Sequence, residues 1–207
     1  MNRNLLWVTG ILLAALAACN SRQRLLGKRD FVKYINDPGH GLVKKTRIAD
    51  VDVQVSYEPA SLLVAQELTA AGHGDTSNLY GLEKKYASNY YFLLRFSKDN
   101  KELIRQLGSF SRYSDMVEVL SFQMHQFVNL TTAAHDTVGM SDYAFEQTYG
   151  MGNANILLLA FPRDKVGKAG KLDINLAECG FGIGSLKFNF DRDDLDRVPR
   201  LDYNRLD

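Results

Sequence analysis

The chain is poor in cysteine, with 2 in 207 residues, and it has 1 Trp and 4 Pro. Two cysteines make neither a disulfide framework nor a paired-cysteine metal site. The prolines are scattered, and there is no Pro- or Ser-rich linker, internal repeat or low-complexity stretch, which predicts one compact body. An excess of one charge is missing too. With 25 basic and 24 acidic side chains the formal net charge is +1, so nothing draws the chain to nucleic acid. At 45% hydrophobic and 24% charged residues, the composition is globular rather than disordered.

The common signatures of chemistry are also absent. No H-E-x-x-H zinc motif, G-x-S-x-G elbow or S-x-x-K pair occurs. Gly180, Gly182 and Gly184 alternate before an apolar run. They lack the Lys and the Ser or Thr of a phosphate loop, so a bulge or close backbone approach explains them better. Residues 191–196 resemble half a calcium loop without its central Gly or final Glu. Asp193 or Asp194 capping one helical turn, stopped by Pro199, explains them better. No cofactor is implied.

The N-terminus is the most informative segment. Arg3 is followed by an apolar stretch over residues 5–18 that is too short to cross a bilayer as a helix. It ends in Leu16-Ala17-Ala18-Cys19. This order resembles a bacterial lipobox, which implies cleavage before Cys19 and acylation of that residue. Residues 1–18 would be the lipoprotein signal peptide and residues 19–30 a lipidated Cys and basic tether, with Arg22, Arg24, Lys28 and Arg29. Residues 31–207 would be a single globular domain. An ordinary secretory signal or a short membrane anchor, with a chance Cys, is the alternative. Asn20, rather than Asp, favours the outer membrane under the enterobacterial sorting rule. The basic rather than acidic tether favours its periplasmic face, and the tether can rest on anionic headgroups. With Cys19 lipidated, Cys179 has no partner and reads as a buried, inert thiol.

Hydrophobic periodicity sets the expected fold. Val51, Val53, Val55 and Tyr57 alternate with polar residues, predicting a strand with its odd-numbered face buried and its even-numbered face wet. Residues 90–96 and 155–161 are apolar on both faces, as central strands are. Residues 143–149, 172–176 and 186–190 read as further strands, and residues 126–131 as one that follows a helix. Helices are expected from Pro59 toward Ala70, over residues 79–86, and from a cap at Ser114 or Asp115. The expectation is a mainly β, α+β protein: a seven-stranded antiparallel β-sandwich with two or three helices in the N-terminal half. A single sheet with helices on one face is the runner-up.

Candidate functional residues are few. Tyr80, Tyr86, Tyr90 and Tyr91 crowd one stretch and can line a glycan or peptide groove, or simply pack. His73, in the loop Gly72-His73-Gly74-Asp75, could present a ligand, and Asp136 could orient the imidazole of His135; a hydrogen-bonded surface residue is the alternative. Glu118 and Glu146 are candidate carboxylates for glycoside cleavage if the fold brings them together.

One further resemblance covers most of the mature chain. Tyr34-Ile35-Asn36-Asp37-Pro38, Gly41-Leu42-Val43-Lys44-Lys45, and Phe188-Asn189-Phe190 with Val198-Pro199-Arg200-Leu201 resemble uncharacterised Bacteroidetes-type envelope lipoproteins. The resemblance implies a lipid-anchored envelope protein and brings no activity. His40 departs from the pattern, so no role is carried onto it. The expected function is therefore non-enzymatic binding of a protein or glycan, with the membrane as a second partner through Cys19. The alternatives are a lipid-anchored hydrolase with dispersed residues, or a structural subunit of an envelope complex.

Overall fold

The computed structural model describes residues 24–72 and 78–206. Cys19, His73 and Asp75 lie outside the described residues. In chain order, β1 (Leu25–Leu26) leads into α1 (Lys28–Ile35), an amphipathic helix that buries Phe31 and Ile35. β2 (Val43–Ile48) and β3 (Val51–Glu58) form a hairpin, followed by α2 (Ala60–Ala71) and α3 (Leu79–Tyr86). β4 (Asn89–Lys98) turns into β5 (Lys101–Glu102) through Asp99 and Asn100, at φ 50° and 57°. These left-handed values suit Asp and Asn, whose side chains tolerate that region.

α4 (Phe110–Glu118) is capped by Ser109, whose Oγ accepts from Arg112 N at 3.3 Å. A π turn (Val119–Gln123) then unwinds the helix into β6 (Val128–Thr132). β7 (Thr137–Gly139), β8 (Asp142–Glu146), β9 (Asn155–Pro162), α5 (Arg163–Val166), β10 (Lys171–Leu176), β11 (Leu186–Asp191), α6 (Arg192–Asp196) and β12 (Arg200–Leu201) complete the described chain.

The protein is α+β. The large sheet runs β2-β3-β4-β9-β8, with β5 on β4, and the small sheet runs β11-β10-β6-β7; all of these pairs are antiparallel. Both sheets feed one core. Phe92 of β4 meets Phe190 of β11 at 5.1 Å between ring centroids, and Phe96 meets Phe181 at 4.9 Å. Aromatic pairs at such spacings add to the area they bury.

Several expectations need correction. The described residues hold twelve strands rather than seven. Of their six helices, α1, α2 and α3 lie in the N-terminal half, where two or three were expected, and three more follow in the C-terminal half. β1, β5, β7 and β12 have two or three residues each, too few to show a period, whereas β2, with six residues, and α1, with eight, are additions of ordinary length. α4 starts earlier than Ser114, because Ser109 supplies the cap. The segment 19–30 is not all tether. Leu25 and Leu26 pair in parallel with Arg200 and Leu201, and Lys28 opens α1. That pairing joins the two ends of the described residues, which no local pattern announces. The odd-numbered face of β3 is buried as expected, but its other face is wet only at Asp52 and Gln54. Ser56 is 6% and Glu58 8% exposed, because α2 crosses that end of the sheet. Leu63 of α2 packs there on Tyr91 and Ala160.

Candidate functional site

The four tyrosines singled out by their crowding do not form one surface. Tyr80 is exposed on α3. Tyr86 on the same helix donates to Glu67 and meets Tyr91 edge-on at 5.9 Å. Tyr90 is buried in the main core, while Tyr91 is buried on the opposite face of β4. Consecutive strand residues point to opposite faces, so Tyr90 and Tyr91 cannot share a groove.

The other candidates are occupied structurally. His40 stacks on Tyr34 at 3.6 Å, and its Nδ1 lies 2.8 Å from Tyr34 O. His135 occupies an exposed turn at φ 65°. Glu118 accepts from Gln123 Nε2 at 3.0 Å. Arg192 and Arg197 pair with Asp196, Asp193 and Asp194 around α6. Cys179 is buried and free, and burial with the neighbouring Glu178 charge pushes its thiol up to about 12. It is therefore protonated and unreactive at neutral pH.

The alternating glycines do build an anion nest, and the chain fills it itself. Gly180 N, Gly182 N and Gly184 N donate to the Glu178 carboxylate at 2.7, 2.8 and 2.6 Å. The three glycines have φ of 114°, 73° and 69°, which only Gly adopts freely. A phosphate would have to displace Glu178.

Tyr90 instead lies beneath Arg163, which lines a cleft that the sequence did not reveal. The cleft encloses about 460 Å³ between the start of α2, α3 and the segment that includes β12. Arg163 lies in its wall, at the end of β9. Its Nε donates to Asn89 O at 2.9 Å, an NH2 nitrogen donates to the Tyr57 hydroxyl at 3.2 Å, and its guanidinium covers the Tyr90 ring at 3.9 Å. Among the described residues no carboxylate pairs with it. A guanidinium has five donors, so Arg163 keeps donors for something in the cleft.

The hydroxyl of Tyr57 accepts from Arg163 and retains its own proton to donate. Burial raises its pKa, outweighing the Arg163 charge. Tyr203, also in the wall, is pushed up to about 12 by burial and by Glu83. Both phenols stay protonated donors at neutral pH. Glu83, Asp196 and Arg200 add charges of both signs to the lining. The arrangement can bind an anionic group at Arg163 and Tyr57 while Glu83 and Asp196 accept from neighbouring hydroxyls.

No protein-family model matches the chain, and no curated protein matches it. Two solved structures are similar to it in outline. One is a novel protein of unknown function from Burkholderia pseudomallei, with 14% identity and a TM-score of 0.43, covering 87% of this chain and 91% of that one. The other is a DUF4426 family protein from Pseudomonas aeruginosa, with 12% identity and a TM-score of 0.37, covering 72% of this chain and 92% of that one.

Proposed function

We propose that this chain is a lipid-anchored envelope protein that binds, without transforming it, an acidic saccharide in the cleft at Arg163. The observation that carries the reading is Arg163 itself. It is half-buried, fixed by Asn89, Tyr57 and Tyr90, and unpaired with any described carboxylate. A preorganised cation in a concave site suits a carboxylate, sulfate or phosphate on the ligand. The glycan partner is preferred to a protein because Glu83, Asp196, Tyr203 and Ser61 line the same cleft and suit an array of sugar hydroxyls.

The anchor reading rests on the order of Leu16, Ala17, Ala18 and Cys19. Asn20 and the basic residues after it favour the periplasmic face of the outer membrane. The chain from Cys19 to Arg24 reaches at most about 18 Å. Arg24 O accepts from Arg200 N at 3.0 Å, and Arg200 lines the cleft. A lipid on Cys19 would thus hold the cleft close to the membrane. We read the two sheets that share the core as an open antiparallel sandwich, with the cleft at one end of it.

The test is calorimetric titration of the detergent-solubilised mature protein with glucuronate and with glucose. Glucuronate should bind at least about tenfold more tightly than glucose, and Arg163→Gln should remove most of that preference. Equal affinity for the two sugars, or a preference that survives Arg163→Gln, would refute the reading.

A further inference from the structure

A second cleft lies on the outer face of the large sheet, away from Arg163. It holds about 280 Å³ between α2 and strands β3, β4, β9 and β8. Its walls are largely apolar, with Leu63, Leu93, Ile156 and Leu158. Three charged residues interrupt them: Glu146 at the rim, and Glu58 and Arg95 further in. Glu58, at the end of β3, is 8% exposed and has no hydrogen-bond partner among the described residues. Arg95 of β4 buries its Nε with no acceptor. Each charge acts on the other, since Arg95 partly offsets the effect of burial on Glu58. Yet no ion pair joins them.

The sheet register explains the gap. Glu58 lies opposite Tyr91, whereas Arg95 lies opposite Gln54. Four residues of strand, at about 3.4 Å each, keep the two Cα atoms roughly 14 Å apart. A carboxylate on a residue only 8% exposed and a buried guanidinium nitrogen without an acceptor are both unfavourable, and well-packed apolar residues would stabilise this face better. Departures of this kind from ordinary burial rules concentrate where a ligand completes the arrangement.

We propose that this cleft binds a free zwitterion with an apolar side chain, a hydrophobic α-amino acid, with its ammonium on Glu58 and its carboxylate on Arg95. Two hydrogen bonds of about 2.9 Å, with the ligand's two charged groups about 3 Å apart, span roughly 9 Å. That length fits between side chains rooted roughly 14 Å apart on one face. The apolar side chain of the ligand packs on Leu63, Leu93 and Leu158. Glu146, at the exposed rim of the cleft, is in water and screened. The site is independent of the saccharide reading and shares no residue with the cleft at Arg163.

The experiment is calorimetric titration of the detergent-solubilised mature protein at pH 8 with L-leucine, and with hexanoate and isoamylamine as probes that each carry one of the two charges. L-Leucine should saturate the protein, with each single-charge probe at least about tenfold weaker. Glu58→Gln removes the partner of the ammonium without threatening the fold, since it deletes an unfavourable buried charge. It should weaken L-leucine at least about tenfold and leave hexanoate unchanged. Arg95→Met should do the converse, weakening hexanoate. Absence of saturable leucine binding up to about 10 mM would overturn the proposal. So would hexanoate binding as tightly as leucine, or leucine binding that survives Glu58→Gln or is lost only with Arg163→Gln.

Discussion

Glu58→Gln should stabilise the protein at high pH and do little for it at low pH. Burial raises the Glu58 carboxyl from its ordinary 4.5 to about 7, with Arg95 only partly opposing. The folded chain therefore holds a proton between these values that the unfolded chain has released. Stability falls as pH rises through that window, and the full penalty is present above pH 7. The rise corresponds to about 3 kcal/mol. Only 8% of the residue is exposed, so water screens little of it. Glutamine is nearly isosteric with the protonated acid and carries no charge. At pH 5 the variant should match the parent to within about 1 kcal/mol, the cost of a buried amide. At pH 8 it should be more stable by about 2–3 kcal/mol. Urea unfolding of both proteins at pH 5, 6, 7 and 8 measures the difference, provided the slopes agree. A stability difference that does not grow between pH 5 and pH 8 would show that Glu58 is solvated or paired, and would refute the reasoning.

Three further outcomes are expected. Glu178→Ala leaves three glycine N–H groups without their acceptor and should cost about 1–2 kcal/mol, the lower end reflecting exposure of the loop. Burial alone would raise the Glu178 carboxyl, but the N–H groups of Gly182, Gly180, Gly184 and Ile183 hold it below 4.5. The stability that Glu178 contributes is therefore present above pH 4.5 and lost as pH falls through its lowered value, so the variant's deficit, measured by denaturation, should be smaller at pH 3 than at pH 7. Val53, fully buried in β3, should not tolerate Asp, at a cost of about 3–5 kcal/mol. Asp52→Val loses only long surface ion pairs to Lys45 and Arg47, at 3.6 and 3.7 Å, and should stay within about 1 kcal/mol of the parent by thermal melting. Cys19→Ser should abolish metabolic lipid labelling and leave the uncleaved precursor; labelling that persists would sink the lipoprotein reading.

Part of the candidate sites was legible beforehand and part was not. The parity of β4 already separates Tyr90 from Tyr91, so their proposed shared groove could have been rejected on strand geometry alone. The nest at Gly180, Gly182 and Gly184 was recognisable as a run of glycines, but not that Glu178 occupies it. Arg163 had no local signal at all. It is an ordinary Arg after a Pro until the fold sets it against Tyr57, 106 residues away in sequence. Glu58 lies one residue beyond the run whose even-numbered face was expected to be wet, and Ser56, inside that run, is buried as well.

What the sequence determined by itself is what neighbouring residues decide among themselves. The alternation in β3, the two-sided apolar runs of β4 and β9, the helix over Leu79–Tyr86 and the left-handed turn at Asp99 and Asn100 all follow from side-chain period and turn chemistry within a few residues. The tertiary structure alone decided which polar groups lose water. α2 lies over one end of the large sheet and turns Glu58 from a solvated carboxylate into a buried acid facing Arg95. β12 pairs with β1 and brings the C-terminal segment beside Tyr57 and Arg163. Desolvation depends on everything that packs against a group, and these contacts come from residues far apart in the chain, where no local period extends.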